Sequence, residues 1–154
     1  MGKIDDRLKE LGIEVPEAAA PIANYLGYAQ TGNLVFTAGQ VPIKDGNFTC
    51  QGIVGKDVSV EDATAAARLC AINLIAQVKA ACDGDLDRVV RCVKLVGFVN
   101  GVAGFENAPA IINGASDLMV EVFGDKGKHA RSAVGAGSLP FNVTVEVEGI
   151  FEID

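Results

Sequence analysis

Two helical periods set among β-patterned segments, in the order β, β, ragged β, α, β, α, β, β, predict an α+β domain with a mixed six-stranded sheet and two helices packed on one face. Three observations carry that prediction. Val143, Val145 and Val147 alternate with Thr144, Glu146 and Glu148; small and aliphatic residues recur at helical spacing from Ala63 to Val78; and residues 88–99 are apolar on both alternating sets, as in a strand inside a sheet. With 49% hydrophobic residues, the chain of 154 is long enough to bury one core, giving a single domain over 1–154 with residues 1–20 as an N-terminal extension.

Taken in order, Lys3 to Leu11 has the spacing of a short amphipathic helix, ended by Gly12 and Pro16. Residues 22–29 and 33–38 read as strands joined through Gln30, Thr31, Gly32 and Asn33. Ala38, Gly39 and Gln40 close the second strand, at a glycine that lets backbone approach another group closely. Residues 44–57 form a loop or ragged strand. Ser59 and Asp62 then make a capping pair for the longest helix, whose alanine-rich face suits close packing on a sheet and which Gly84 stops. The strand at 88–99 is predicted to be central. After a loop at Gly101 to Gly104, a second helix runs from Pro109 to Phe123, with Gly124 just beyond its end and Asn113 and Gly114 inside it.

The last third of the chain holds its only histidine, His129, and an arginine in a small-residue strand, Arg131 to Ala136. Gly137, Ser138, Pro140 and Asn142 are turn formers leading to the valine-rich strand, so the two runs read as a hairpin. A symmetric hairpin places Arg131 opposite Glu148 and Ala133 opposite Glu146, with the guanidinium and both carboxylates on one face; a slip of one residue breaks this. From spacing the arrangement reads first as a cross-strand ion pair on a solvated face, the commoner case, and in the sharper reading as a small anion site. Arginine grips a carboxylate with two parallel hydrogen bonds, and Ala133, Gly135 and Gly137 leave room beside it.

Ala130, Arg131, Ser132, Val134, Leu139, Pro140, Val145 and Glu146, together with GNLVFTAGQVP at 32–42 and Tyr25 before it, resemble the YjgF/YER057c/UK114 proteins, also called the RidA or Rid family of enamine and imine deaminases. The likeness runs from about Tyr25 to Phe151. It implies a chorismate-mutase-like fold and a homotrimer whose sheets pack into a central β-barrel with clefts between subunits. It also implies a pocket in which Arg131 and Glu146 are catalytic and Tyr25, Ala38, Gly39, Asn113, Arg131 and Ala133 touch substrate. Three departures mark a divergent branch: Ala38 stands where deaminases usually have Ser, Ala133 where many have Cys, and His129 where proline is usual. His129 has either a solvent-facing or packing role or a titrating one near the site.

The formal charge of −7 argues against a nucleic-acid partner, and the sequence offers neither a basic stripe nor a histidine pair for ribonuclease chemistry. Cys50, Cys70, Cys82 and Cys92 lack metal-ligand spacing and read as small buried side chains, so no metal is expected. A charged start, and no segment apolar enough for a signal or a span, predict a cytoplasmic protein without a membrane partner. The resemblance implies hydrolysis of a small carboxylate-bearing enamine or imine of the 2-aminoacrylate type to a 2-keto acid and ammonia, without a cofactor. The rival is a trimeric protein that binds a small carboxylate without turning it over; a mutase-like activity would need more cationic groups in the cleft.

Overall fold

The computed structural model describes residues 2–21 and 23–154, so Ile22, the first residue of the expected first strand, lies outside the described residues. The elements are α1 (Lys3–Glu10), β1 (Tyr28–Thr31), β2 (Leu34–Thr37), β3 (Ile43–Lys44), β4 (Asn47–Phe48), α2 (Val60–Ala81), β5 (Val89–Asn100), α3 (Ala108–Phe123), β6 (Ala130–Ala136) and β7 (Val145–Ile153). The fold is α+β with a mixed sheet, as expected, but the main sheet has five strands rather than six, in the order β1-β2-β7-β5-β6. β3 and β4 pair only with each other. Their segment is the glycine- and aspartate-rich stretch, too short in apolar residues to join the sheet.

The hairpin expected between β6 and β7 is not formed. β5 lies between them, parallel to β6 and antiparallel to β7. The reason is the connection that precedes β6: β5, α3 and β6 form one crossover unit, and a helix of 16 residues is what parallel neighbours need to join them. A strand of 12 residues with apolar side chains on both faces then offers each edge to a partner, which gives β5 its central place.

α2 starts where the capping pair predicts, with the Ser59 hydroxyl accepting the Asp62 amide at 3.1 Å. Its buried stripe of Ala63, Ala66, Ala67, Cys70, Ala71 and Leu74 brings the helix close against the sheet and α3. α1 has no cap of its own. The Asp87 carboxylate, from the turn before β5, accepts the Lys3 and Ile4 amides at 2.9 Å each, which holds its pKa below the usual carboxylate range. With Leu8 buried and Arg7 Nε donating to the Glu121 carbonyl at 2.8 Å, α1 is docked on α3.

Thr144, expected on the polar face with Glu146 and Glu148, is fully buried, because regular pairing begins only at Val145. Its hydroxyl donates to the Gly52 carbonyl at 3.0 Å and accepts from Cys50 Sγ at 3.3 Å. Cys70, Cys82 and Cys92 are buried as expected, and burial pushes the Cys92 thiol up to about 12, whereas Cys50 is only half-buried. Among the described residues no helix is long and apolar enough to cross a membrane.

Candidate functional site

Register decides which side chains converge. Leu95 of β5 pairs with Arg131 on one side and Gly149 on the other, whereas Phe98 pairs with Val134 and Glu146. Alternate residues of a strand point to opposite faces, and Leu95 and Phe98 are an odd number of residues apart. Arg131 therefore projects toward the helices, beside buried Leu95, and Glu146 toward the open face of the sheet. The expectation that the guanidinium and both carboxylates share one face is overturned. It rested on a hairpin register, and the interposed β5 removes that register.

On the helix side, α3 turns Asn113 and Ser116 toward the β6 edge, one helical turn apart. Arg131 Nη1 donates to Asn113 Oδ1 at 2.7 Å and to Ser116 Oγ at 3.3 Å. Ser116 Oγ also lies 2.9 Å from His129 Nε2, and His129 Nδ1 lies 2.6 Å from the Gly127 carbonyl. Among the described residues no carboxylate pairs with Arg131, so the ion-pair reading of the constellation fails and the cation is held by neutral oxygens alone. Ala133, two residues on, points the same way and packs against the core. An open depression of about 300 Å³ at this edge is lined by Ser116, Asp117, Val120, Lys128, His129 and Arg131.

The sequence brings Arg131 and Asn113 together as expected. It also holds a signal for Ser116 that went unused: three residues after Asn113, it shares that residue's helix face. His129 neither faces solvent freely nor packs as an apolar ring, since both its nitrogens are hydrogen-bonded.

Glu146 sits on the other face, half-buried, with no hydrogen-bond or ion-pair partner among the described residues. Burial, and then the Glu148 carboxylate, raise its pKa. Gly39 lies directly over it: a Cβ there would overlap Glu146 Oε1, and the carboxylate would have to swing aside. The segment is fixed by Gln40, whose backbone exchanges hydrogen bonds with Val147 at 2.8 and 3.0 Å. Ala38 donates its amide to the Gly27 carbonyl at 2.8 Å, which ties this segment to the one carrying Tyr25, 52% exposed. The expected site residues thus divide between the two faces of the sheet, Arg131 with Asn113 and Ala133 on the helix side and Glu146 with Gly39 on the open face.

The state of Glu146 has a consequence for stability. The folded chain binds the Glu146 proton more tightly than the unfolded chain. Its contribution is therefore full below the ordinary carboxylate range and lost as pH rises through the raised value. Glu146→Gln is expected to raise the thermal midpoint slightly at neutral pH, by less than full burial would give because the group is half-exposed, with the advantage vanishing in acid. Thermal unfolding of both proteins across that range checks it; an advantage that persists unchanged in acid contradicts it.

A larger cavity, about 490 Å³ beside Cys50, Asp57 and Asp62, lies between the 49–58 loop and α2, and includes none of these site residues. Among the described residues no three His, Cys, Asp or Glu side chains group as a metal site requires.

Comparison with known proteins agrees with the fold. Protein TCP17 of Trypanosoma cruzi is 44% identical over 99% of this chain and 96% of its own. The crystal structure of Agrobacterium tumefaciens Atu1372 is 50% identical with a TM-score of 0.92, over 98% of this chain and 92% of that one. The Escherichia coli YjgF gene product is 27% identical with a TM-score of 0.64, over 88% and 93% of the two chains. Residues 5–152 match the model of the family described as "YjgF/chorismate mutase-like, putative endoribonuclease", and the chain belongs to that family.

Proposed function

We propose that this protein hydrolyses small, reactive enamines and imines bearing a carboxylate, of the 2-aminoacrylate type, to 2-keto acids and ammonia, in a cleft formed where two copies of the chain meet. The observation that carries this reading is the state of Arg131: a cation positioned by two neutral acceptors, with no counter-ion among the described residues, at the rim of an open depression. A substrate carboxylate supplies the missing negative charge, through charge-assisted hydrogen bonds worth roughly 1.5 to 3 kcal/mol.

Glu146 supplies the second function. Partial burial and a raised pKa suit a carboxylate that takes a proton from water and returns it. The enamine first tautomerises to the imine. Water then adds to the C=N carbon of the protonated imine while one of its protons passes to the Glu146 carboxylate. Glu146 returns that proton to the nitrogen, the tetrahedral adduct expels ammonia as the carbonyl forms, and the remaining hydroxyl proton leaves with it as ammonium. Asn113 orients Arg131, Ala133 leaves space under the substrate, and Tyr25, Ala38 and the Gly39 backbone wall the Glu146 side.

Because Arg131 and Glu146 project from opposite faces of one sheet, their cooperation requires that one copy supply the Arg131 half and a neighbour the Glu146 half. The open face supports such association. It presents Phe36 (41% exposed) and Val134 (46% exposed) with half-exposed Val96, Phe98 and Ile150, an apolar surface that a closed ring of copies would bury. The family resemblance supplies the number, a homotrimer.

A second reading, a binding protein for a small carboxylate, is favoured by Ala38 and Ala133, which offer substrate only methyl groups. One experiment separates the two. With 2-aminoacrylate generated in situ by a lyase, the protein is expected to accelerate release of keto acid and ammonia above the spontaneous rate, and Arg131→Ala and Glu146→Ala each to remove the acceleration. No acceleration, with retained pyruvate binding that depends on Arg131, would select the binder; a monomer in light scattering at micromolar concentration would defeat the shared cleft.

A further inference from the structure

The hydrogen-bond chain behind Arg131 has a direction that elementary chemistry fixes. A carbonyl oxygen only accepts, so the 2.6 Å contact to Gly127 requires the hydrogen on His129 Nδ1. The neutral ring then presents a lone pair at Nε2, and Ser116, 2.9 Å away, must donate its hydroxyl hydrogen to it. A guanidinium only donates, so Ser116 Oγ and Asn113 Oδ1 both accept from Arg131 Nη1. The order is Arg131 to Ser116 to His129 to the Gly127 carbonyl, every bond satisfied and none reversible while the ring is neutral.

Protonating the imidazole changes that order. Nε2 becomes a donor, and Ser116 Oγ, with two lone pairs, accepts from His129 and Arg131 together. Its hydroxyl hydrogen is released toward the depression that Ser116, His129 and Arg131 line. Protonation therefore adds a second positive charge beside Arg131 and a free O–H donor, and both favour an anion. We infer that Ser116 and His129 are the positioning residues of Arg131, and that carboxylate binding at this edge is coupled to protonation of the imidazole. The inference rests on the carboxylate site proposed above and names its regulation.

The other charged groups around the ring do not supply this coupling. Asp117 of α3 and Lys128 line the same depression. Lys128 is paired with Asp125 at 2.8 Å, Lys126 Nζ donates to the Val89 carbonyl, and Glu121 of α3 is paired with Arg68 at 2.9 Å. None of these groups joins the run of hydrogen bonds from Arg131 through Ser116 to His129, so the order of those bonds changes with the protonation of the imidazole alone.

His129 is the only histidine in the chain, which makes the test direct. In the full-length protein without ligand, nitrogen NMR of histidine-labelled material is expected to show the neutral ring in its Nδ1–H tautomer; the Nε2–H tautomer would overturn the chain of bonds. With pyruvate as the probe, affinity is expected to tighten about three- to tenfold between about pH 8 and about pH 5.5. The slope should be flat in His129→Gln and reduced in Ser116→Ala. A slope unchanged in His129→Gln would overturn the coupling while leaving the Arg131 site standing. Pyruvate binding indifferent to Arg131→Ala would overturn the carboxylate site itself, and the coupling with it.

Discussion

Arg131→Ala is expected to weaken pyruvate binding by roughly ten- to a hundredfold, the equivalent of losing a charge-assisted contact of about 1.5 to 3 kcal/mol, while leaving the thermal midpoint almost unchanged. The two expectations follow from one fact. Among the described residues Arg131 bonds only to Asn113 and Ser116, at a half-exposed edge, and no buried carboxylate depends on it. Removing it strands no charge, so the fold should change by no more than about 0.5 kcal/mol, the range of surface substitutions. Arg131→Lys should recover only part of the affinity, since an ammonium offers a point charge where the guanidinium offers a planar fork. Asn113→Asp provides the converse test. It places a carboxylate where a neutral oxygen now lies 2.7 Å from Nη1, so the protein supplies its own counter-ion and the ligand must compete with it. Pyruvate affinity should fall as it does in Arg131→Ala, although the cation is still present. Titration calorimetry on the three variants reads these outcomes, and affinity equal to the parent's in Arg131→Ala would remove the anion site.

Which of these features the sequence discloses depends on how local their causes are. α2 and α3 are legible almost to the residue, because helical period, the Ser59–Asp62 cap and the glycine after Phe123 all act within a few positions. The central place of β5 is legible because a strand between two neighbours and two packed faces must be apolar on both alternating sets. The pairing of β6 is not legible from local signals. Gly137 to Asn142 would serve a hairpin or a crossing over the end of β5 equally well, and the parallel choice is made by the β5–α3–β6 crossover. The site inherits that division. Arg131 and Asn113 meet because one crossover unit positions both, so their meeting survives the error in strand order. Glu146 and Glu148 lie on the polar face that their alternation predicts, but Arg131 does not share it, because the orientation of one strand's side chains relative to another's is a property of register, which shifts with every inserted strand.

Gly114→Ala is expected to destabilise the fold by about 2 kcal/mol or more, against the sign that helix propensity alone gives. Glycine inside a helix costs about 1 kcal/mol relative to alanine, and Gly114 lies in the middle of α3. A Cβ at this position, however, would overlap the carbonyl oxygen of Thr64 in α2. That oxygen is backbone within a helix of 22 residues, so it cannot swing aside as a side-chain end would. The helices must separate instead, and overpacking of this kind costs about 1 to 3 kcal/mol or more. For a chain of this size each kcal/mol lowers the midpoint by about 2 to 4 °C, so a drop on the order of 5 °C is expected. Ligand binding should fall with it. Asn113 precedes the glycine, Ser116 follows it by two residues, and a displaced α3 draws both acceptors away from Arg131. Asn113→Ala separates the two effects, since it removes an acceptor without touching Thr64 and should weaken pyruvate binding at nearly constant midpoint. If Gly114→Ala instead raises the midpoint, the two helices do not approach as closely as the structure shows, and the placement of Asn113 and Ser116 against Arg131 loses its support.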